Sequence, residues 1–350
     1  KKGQAFFYSI CKAAVYVFSM RQARERQFDP QDPPWLHCIS RCVRRAFLCG
    51  EGFEHRKQWI ERRLELLARH CAVAVGAYAV MSNHLHVVLR PRPQAAQGLS
   101  DEQVVRAWWA LRENEDLDAD GSRASDPQVR GILDGLLKDA GFIARWRARL
   151  GSVSWFMKSV KEPLSRLANR EDDCTGAFWE GRFRSVPLLD RAAVTTCMAY
   201  VDLNPIRAGL AQRPEDSTFT SIKSRIAARQ AAAEHPWLTP VARVTASREG
   251  DSGLSLDEYL RLVDGVGRFC RSDKRGAIPS EVAGILQRLD GDLVPADWLH
   301  SMLRPQSLAG SALGKLGALA VEAQRRGMQW LQARCRILGQ RSRGGTTLQL

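Results

Sequence analysis

The sequence lacks any arrangement of cysteines that is typical of a disulfide-stabilised or zinc-stabilised fold. Its nine cysteines are scattered between residues 11 and 335. No paired C-x-x-C motif with a downstream Cys or His cluster completes a set of four zinc ligands. Scattered cysteines of this kind are typical of reduced thiols, so we predict a cytoplasmic protein that is built without structural zinc.

Long hydrophobic runs are also missing. The strongest candidate, residues 5–20, follows Lys1 and Lys2 like the apolar part of a secretory signal, but Lys12 interrupts it and no small-residue cleavage site follows. It is too short to span a bilayer. We therefore expect residues 1–20 to be an appendage outside the fold, or residues 1–19 to precede a true start at Met20, and we expect no membrane partner.

Negative charge is in deficit. Lys and Arg number 52 against 38 Asp and Glu, which gives a formal net charge of +14. This excess favours a polyanionic partner, of which nucleic acid is the usual one, although basic residues spread evenly for solubility remain an alternative. A chain of 350 residues with 45% hydrophobic content predicts a sizeable core, in two domains or in one domain with large additions.

Histidine is scarce, with seven residues in the chain, yet two of them flank a single apolar residue in His84-Leu85-His86. The run continues through Val87 and Val88, which predicts a β-strand. Because residues i and i+2 of a strand point to the same face, both imidazoles would project together while Leu85 faces a core. This geometry predicts a two-nitrogen clamp for a divalent metal ion.

Tyrosine is scarcer still, with five residues. Tyr78 falls in an apolar, strand-like run and Tyr259 in an ordinary amphipathic pattern, whereas Tyr200 has Asn204 four residues on, on the same face of a predicted helix. Pro205 is expected to push Asn204 out of the α region and to leave its amide reaching outward. A half-buried aromatic without a chemical role remains the alternative for Tyr200.

The periodicity of the chain predicts an order of strand, helix, strand, strand at its start, followed by helices and one further strand. Pro187 predicts an edge position for that last strand because proline cannot donate to a ladder. Ser100 predicts a capped helix start, and residues 113–130 an exposed acidic insertion. The predicted strands are 35–43, 71–81, 84–90 and 183–188, and the predicted helices are 53–68, 100–108, 129–150, 153–169, 191–203, 256–269, 280–289 and 316–338.

Three segments in this order resemble the HUH superfamily of single-tyrosine transposases, and most closely its REP-associated tyrosine transposase branch. They are Tyr78 to Leu89, Gly176 to Ser185 and Ala199 to Leu210, and His37 and Arg41 are similar to the family's first strand. The resemblance covers residues 26–225. It implies an α+β fold with a ferredoxin-like (RRM-like) antiparallel sheet and packed helices, followed here by a mainly helical C-terminal region.

The resemblance also implies the chemistry. His84, His86 and Asn204 match the family's ligands for Mg²⁺ or Mn²⁺, and Tyr200 matches the nucleophile that forms a 5′-phosphotyrosine intermediate. The implied activity is cleavage and rejoining of single-stranded or hairpin (REP-like palindromic) DNA. No general base is evident in the sequence. The site could lie within one chain or be completed within a homodimer.

Binding to DNA is expected from cations and aromatic side chains around the site, with Trp155 and Phe178 as further stacking candidates. The expected contacts are Arg41, Arg44, Lys158, Lys161, Arg166, Trp179, Arg182, Arg184 and Arg207. We divide the chain into the appendage 1–20, a catalytic domain 21–225 with an insertion near 92–150, and a helical accessory region 226–350.

Two other functions remain open at this stage. A domesticated transposase acting as a non-catalytic DNA-binding regulator would share the charge and the helical accessory region. A metallophosphoesterase with a water nucleophile would use the histidines without Tyr200.

Overall fold

The protein is an α+β structure around one four-stranded antiparallel sheet. The computed structural model describes residues 28–246, 251–268, 275–290 and 316–325. The strands are β1 (Trp35–Arg41), β2 (Val73–Val80), β3 (His84–Pro91) and β4 (Arg184–Leu188). The helices are α1 (Glu54–His70), α2 (Pro93–Gln97), α3 (Asp101–Glu113), α4 (Pro127–Leu137), α5 (Ala140–Leu150), α6 (Val153–Glu171), α7 (Arg191–Asp202), α8 (Asn204–Arg207), α9 (Ser221–Gln230), α10 (Val241–Thr245), α11 (Leu256–Arg268), α12 (Ile285–Asp290) and α13 (Leu316–Arg325).

The strands lie in the order β2-β3-β1-β4, so β1 and β3 form the centre of the sheet. Arg41 pairs with His84 and Ile39 with His86, which places the histidine strand directly beside β1. β4 pairs only with β1 among the described strands and carries Pro187 at the edge, as its sequence predicts. β1 ends at Arg41 rather than at residue 43, because Arg44 and Arg45 adopt positive φ angles in the following turn.

Helices cover both faces of the sheet, so its strands are buried on both sides. Leu85, Val87 and Leu89 of β3 pack with apolar residues of α1 and α6 in one cluster. Val88, from the opposite face of the same strand, packs with Val194 and Met198 of α7 in a second cluster. The period-two prediction for β3 is therefore confirmed, and its histidines lie on the α7 face.

The expected insertion, residues 92–150, forms helices that pack beside α6. Ser100 caps α3 with a complete capping box, in which its hydroxyl accepts from the Gln103 amide and the Gln103 side chain accepts from the Ser100 amide. The predicted single helix 129–150 is wrong, since α4 and α5 are separated by residues 138–139 and Asp139 caps the second. Trp108 and Trp109 of α3 are buried in this layer.

The expected boundary between residues 225 and 226 falls within α9. Tyr259 and Leu260 of α11 are buried in the same cluster as the α7 residues, so α11 shares a core with the sheet. The predicted helix 280–289 forms only from Ile285. Residues 1–20 and the second half of the predicted helix 316–338 lie outside the described residues. Within the described ranges, every helix is too short or too polar to cross a lipid bilayer.

Candidate active site

Three histidines meet at the centre of the sheet, on the face that α7 covers. His37 of β1 is fully buried and His86 of β3 is 4% exposed. Their rings stack with centroids 5.0 Å apart, and 2.8 Å separates His37 Nε2 from His86 Nδ1. The His84 ring stands perpendicular to that of His86, with centroids 4.8 Å apart. Adjacent strands therefore hold these three imidazoles in one cluster.

The hydrogen bond of His84 determines its tautomer. Its Nδ1 lies 2.6 Å from the Asn83 side-chain oxygen, and the Asn83 amide nitrogen donates to the Arg45 carbonyl at 3.0 Å. A carbonyl oxygen can only accept, so His84 donates from Nδ1, and in the neutral imidazole the lone pair lies on Nε2. An imidazole in this state presents Nε2 for metal coordination.

The His37–His86 pair has two possible tautomeric arrangements. Burial lowers the pKa of His37 to about 3, with a further contribution from the positive charge of Arg184, so His37 is neutral. When His86 donates from Nδ1 to His37 Nε2, the lone pair of His86 lies on Nε2. Metal binding would select this arrangement, in which His37 orients His86 as a carboxylate or carbonyl does in other metal sites.

Tyr200 lies next to the histidines although it is far from them in sequence. Its half-buried ring lies edge-on to His86 at 5.6 Å between centroids and to His37 at 6.1 Å. α7 is positioned by Val194, Cys197 and Met198, which pack on the sheet. The structure therefore brings Tyr200, His84 and His86 together.

Asn204 does not have the predicted backbone position. It begins α8 instead of ending the preceding helix. Pro205 lies in the first turn of α8, where a backbone amide has no partner within the helix, so its missing proton has no cost. Its side-chain nitrogen donates to the Tyr200 carbonyl at 3.2 Å. The amide is thus directed back to the helix, and its oxygen is the atom that could coordinate a metal ion.

The donor set for a metal ion is small. Within the described ranges, no group of three or more His, Cys, Asp or Glu side chains has a geometry that could hold a metal ion. The candidate ligands are therefore two imidazole nitrogens of His84 and His86 and the amide oxygen of Asn204. Two nitrogen donors and one oxygen donor suit a divalent transition metal such as Mn²⁺ better than Mg²⁺, which prefers oxygen. The chemistry of the donor set is compatible with the expected cofactor.

Cations surround the same end of the sheet. Arg184 of β4 pairs with Ile39, two residue pairs from His37, and Arg41 ends β1 opposite His84. Burial, and then repulsion by Arg41, lower the pKa of Arg184. Arg44 and Arg182 are exposed nearby in sequence. A bound phosphate would relieve the repulsion between Arg41 and Arg184.

A loop between α6 and β4 brings the second of the three segments that carry the resemblance to this end. The Glu180 amide donates to the Arg41 carbonyl at 2.8 Å, and the Val43 amide donates to the Phe178 carbonyl at 3.0 Å. Lys161 and Trp179 hold this loop, since Lys161 Nζ donates to the Gly181 carbonyl and Trp179 Nε1 donates to the Lys161 carbonyl. Trp179 is 7% exposed, which leaves little of its ring for a base.

The remaining expected DNA contacts lie elsewhere. Arg207 is buried and donates to the Val266 carbonyl at 2.6 Å, so it holds α8 to α11 and does not present a surface for phosphate. Lys158 and Arg166 are exposed on α6, in the helix layer on the other face of the sheet from the histidines.

His37 and Asp202 have no role in the predictions made from the sequence. Asp202 is fully buried and accepts hydrogen bonds from Ser221 Oγ at 2.5 Å, the Ile222 amide at 3.0 Å and Tyr259 Oη at 2.5 Å. Burial raises the pKa of Asp202 to about 6, although these hydrogen bonds lower it. Asp202 anchors the end of α7, the tyrosine helix that carries Tyr200, to α9 and α11. A carboxylate two residues after Tyr200 in an apolar helix was the available signal.

Comparisons with protein-family models, curated proteins and solved structures find nothing that matches the chain. The case for a function therefore depends on the resemblance of its motifs and on the geometry of the site. Of that geometry, the contact between Tyr200 and the histidines is the most specific part, because it joins two segments that the sequence alone cannot place together.

Proposed function

We propose that this protein is a metal-dependent single-strand DNA transposase or endonuclease of the HUH single-tyrosine type, acting on hairpin DNA of the REP-like palindromic class. The observation that carries the proposal is the position of the Tyr200 ring, 5.6 Å from that of His86 in the histidine cluster. A tyrosine beside a two-histidine clamp supplies a nucleophile and a metal site within reach of one phosphate.

The topology supports this assignment. The order β2-β3-β1-β4, with a helix between β1 and β2 and helices between β3 and β4, is compatible with the ferredoxin-like fold that the resemblance implies. In that arrangement the histidine strand is central and the tyrosine helix packs against it. The contacts of His86 with Tyr200 agree with this placement.

The proposed reaction exchanges one phosphodiester bond for another. Tyr200 Oη attacks phosphorus, a bond forms between phosphorus and Oη, and the bond to the 3′ oxygen of the upstream nucleotide breaks. The phenol proton is lost and the leaving oxygen gains a proton, so the products are a 5′-phosphotyrosine and a free 3′-hydroxyl. A 3′-hydroxyl of a second strand reverses the step, which conserves the bond and requires no ATP. A divalent cation, when bound, would polarise the scissile phosphate.

The residues around the phosphate would supply binding and charge stabilisation. Arg41 and Arg184 lie at the end of β1 and in β4 beside the cluster, where their mutual repulsion favours an anion between them. An ordinary tyrosine has a pKa near ~10 and is a weak nucleophile at neutral pH, so the proposed attack depends on activation of the phosphate by a bound cation. His37 acts through His86 as a positioning residue.

The decisive experiment uses a pool of 3′-labelled hairpin oligonucleotides with randomised single-stranded flanks, incubated with Mn²⁺ or Mg²⁺. The protein should retain the label covalently, because the 5′-phosphotyrosine stays with the fragment 3′ to the cut. Tyr200→Phe should lose this adduct and keep DNA binding. Tyr78→Phe is the matched control, because Tyr78 is a buried tyrosine on the other face of the sheet, bonded to Glu61 and Ser224.

Each alternative function has its own outcome. An adduct that persists in Tyr200→Phe removes the nucleophile assignment. Cut product without an adduct in the unmodified protein indicates a water nucleophile. Salt-sensitive hairpin binding with no cleavage in any divalent metal indicates a DNA-binding regulator.

A further inference from the structure

A groove lies along the exposed side of α6, in the helix layer opposite to α7. It has a volume of about 860 Å³ and is walled by α3, α5 and the residues that follow α6. The histidine cluster lies on the other face of the sheet, so the groove is separate from the candidate active site. Its walls combine indole rings with cations, chiefly Trp146, Trp155, Arg112, Lys158, Arg166 and Arg170.

The groove is strongly cationic. Of its lining side chains, Glu162 is the one carboxylate, and it pairs with Lys158 at 3.7 Å and with Arg166. Arg63 also lines the groove, but it is buried and bonded to the Ser159 and Leu111 carbonyls. Lys158, Arg166 and Arg170 are exposed. This surface therefore favours a ligand with several negative charges.

Aromatic rings lie among these cations. The rings of Trp146 and Trp155 lie 6.2 Å apart and tilted by 50°. The Arg149 guanidinium lies 4.1 Å from the Trp155 centroid, and Lys158 Nζ lies 4.5 Å from it. Indole rings and guanidinium planes both stack on unpaired nucleic-acid bases. An acidic peptide would use the charges of the groove but not these flat surfaces.

We propose that this groove binds an unpaired, single-stranded segment of the DNA substrate, outside the segment that is cut. This inference rests on the proposed function for the choice of DNA. The groove extends from Trp155, near the start of α6, to Thr175 and Gly176 beyond its end, about 22 Å along the helix axis. The loop that follows reaches Arg41 through the Glu180 amide, so a strand leaving the groove is directed to the arginines of the active site.

The test measures fluorescence anisotropy of a labelled oligothymidylate of about 12 nucleotides. The protein is the full chain carrying Tyr200→Phe, so that cleavage cannot alter the probe. The groove variant adds Lys158→Ala and Arg166→Ala. The matched control adds Lys223→Ala and Arg243→Ala, two exposed cations on α9 and α10. Thermal melting verifies that every variant folds.

The groove variant is expected to bind about tenfold more weakly than the control, with a salt dependence that is less steep by about 1.4, because two phosphate contacts are lost. Glu162→Gln should change affinity in the opposite direction, by about two- to fivefold, because it frees Lys158 and Arg166 from their shared carboxylate. An oligonucleotide containing 5-iodouracil should crosslink to the peptide that contains Trp155.

Equal affinity and salt dependence in the groove and control variants would overturn the inference. So would equal binding of a duplex of the same length, because stacking requires unpaired bases. Failure of the proposed function gives a different result, namely no Tyr200 adduct on hairpin DNA while the groove variants still lose single-strand binding. An intact adduct with unaffected single-strand binding would refute the groove alone.

Discussion

The two faces of the sheet are built from alternate residues of the same strands, yet they differ in what they bury. One face carries Leu85, Val87 and Leu89 against α1 and α6 and is almost wholly apolar. The other carries His37 and His86 against α7, with the buried carboxylate of Asp202 at the end of that helix. The apolar face stabilises the fold by burial, whereas the histidine face retains polar groups whose burial is unfavourable. The proposed function assigns these polar groups to chemistry and the apolar face to stability.

Neighbouring residues of β3 provide the strongest test of this comparison. Leu85→Ala should lower the free energy of unfolding by about 2 to 5 kcal/mol, because it leaves a cavity beneath a fully buried side chain. The amount of covalent DNA adduct formed per folded Leu85→Ala molecule should not change. His86→Ala should abolish the metal-dependent adduct and cost less stability. Urea unfolding and the adduct assay measure the two effects, and a Leu85→Ala protein that is folded but inactive would contradict the separation of roles.

The pH dependence of stability tests the buried carboxylate. The pKa of Asp202 rises from 3.8 to about 6 in the folded chain because the group is fully buried. Between these values the folded state binds more protons than the unfolded state, so this contribution decreases stability as pH rises, by up to about 3 kcal/mol between about pH 4 and about pH 7.

Asp202→Asn removes this titration. The difference in unfolding free energy between the unmodified chain and the variant, measured in urea across that range, should therefore move in favour of the variant as pH rises. Comparing slopes makes the result independent of any constant loss of hydrogen bonding to Ser221 or Tyr259. A difference that does not vary with pH would show that Asp202 titrates equally in both states.

The smallest expected effect concerns His37. His37→Leu removes the partner of His86 Nδ1 and should raise the Mn²⁺ concentration for half-maximal adduct formation by about 10- to 100-fold. His37→Gln keeps a hydrogen-bonding group and should restore part of the loss. A metal titration separates this positioning role from a purely structural one, which would lower stability in urea and leave the metal curve unchanged.

Elements that depend on local pattern were predictable from the sequence. The alternation in β3, the edge position of Pro187 and the capping box at Ser100 each follow from residues within a few positions of one another. The helix that carries Tyr200 is predicted to end one residue beyond its observed end at Asp202. Local chemistry determines these features, so the local sequence is sufficient.

Features that depend on long-range pairing were not predictable. His37 meets His86 only because β1 and β3 adopt one particular register, and the sequence gives no measure of that register. Asn204 was expected to reach outward because Pro205 suggested a helix end, whereas a new turn begins there and the amide bonds to the Tyr200 carbonyl. Tyr259 follows an ordinary amphipathic pattern, and only the packing of α11 reveals its bond to Asp202.

The bond between Tyr259 and Asp202 spans 57 residues of sequence. Tyr259 is synthesised 57 residues after Asp202, so the carboxylate at the end of α7 has no phenol to bond until that part of the chain has been made. In a nascent chain, the helix that carries Tyr200, the proposed nucleophile, therefore lacks its anchor to α11 until residue 259 has been made. If Tyr200 is the nucleophile, a nascent chain would acquire this support for the site only after the segments that carry the histidines and the tyrosine have been made.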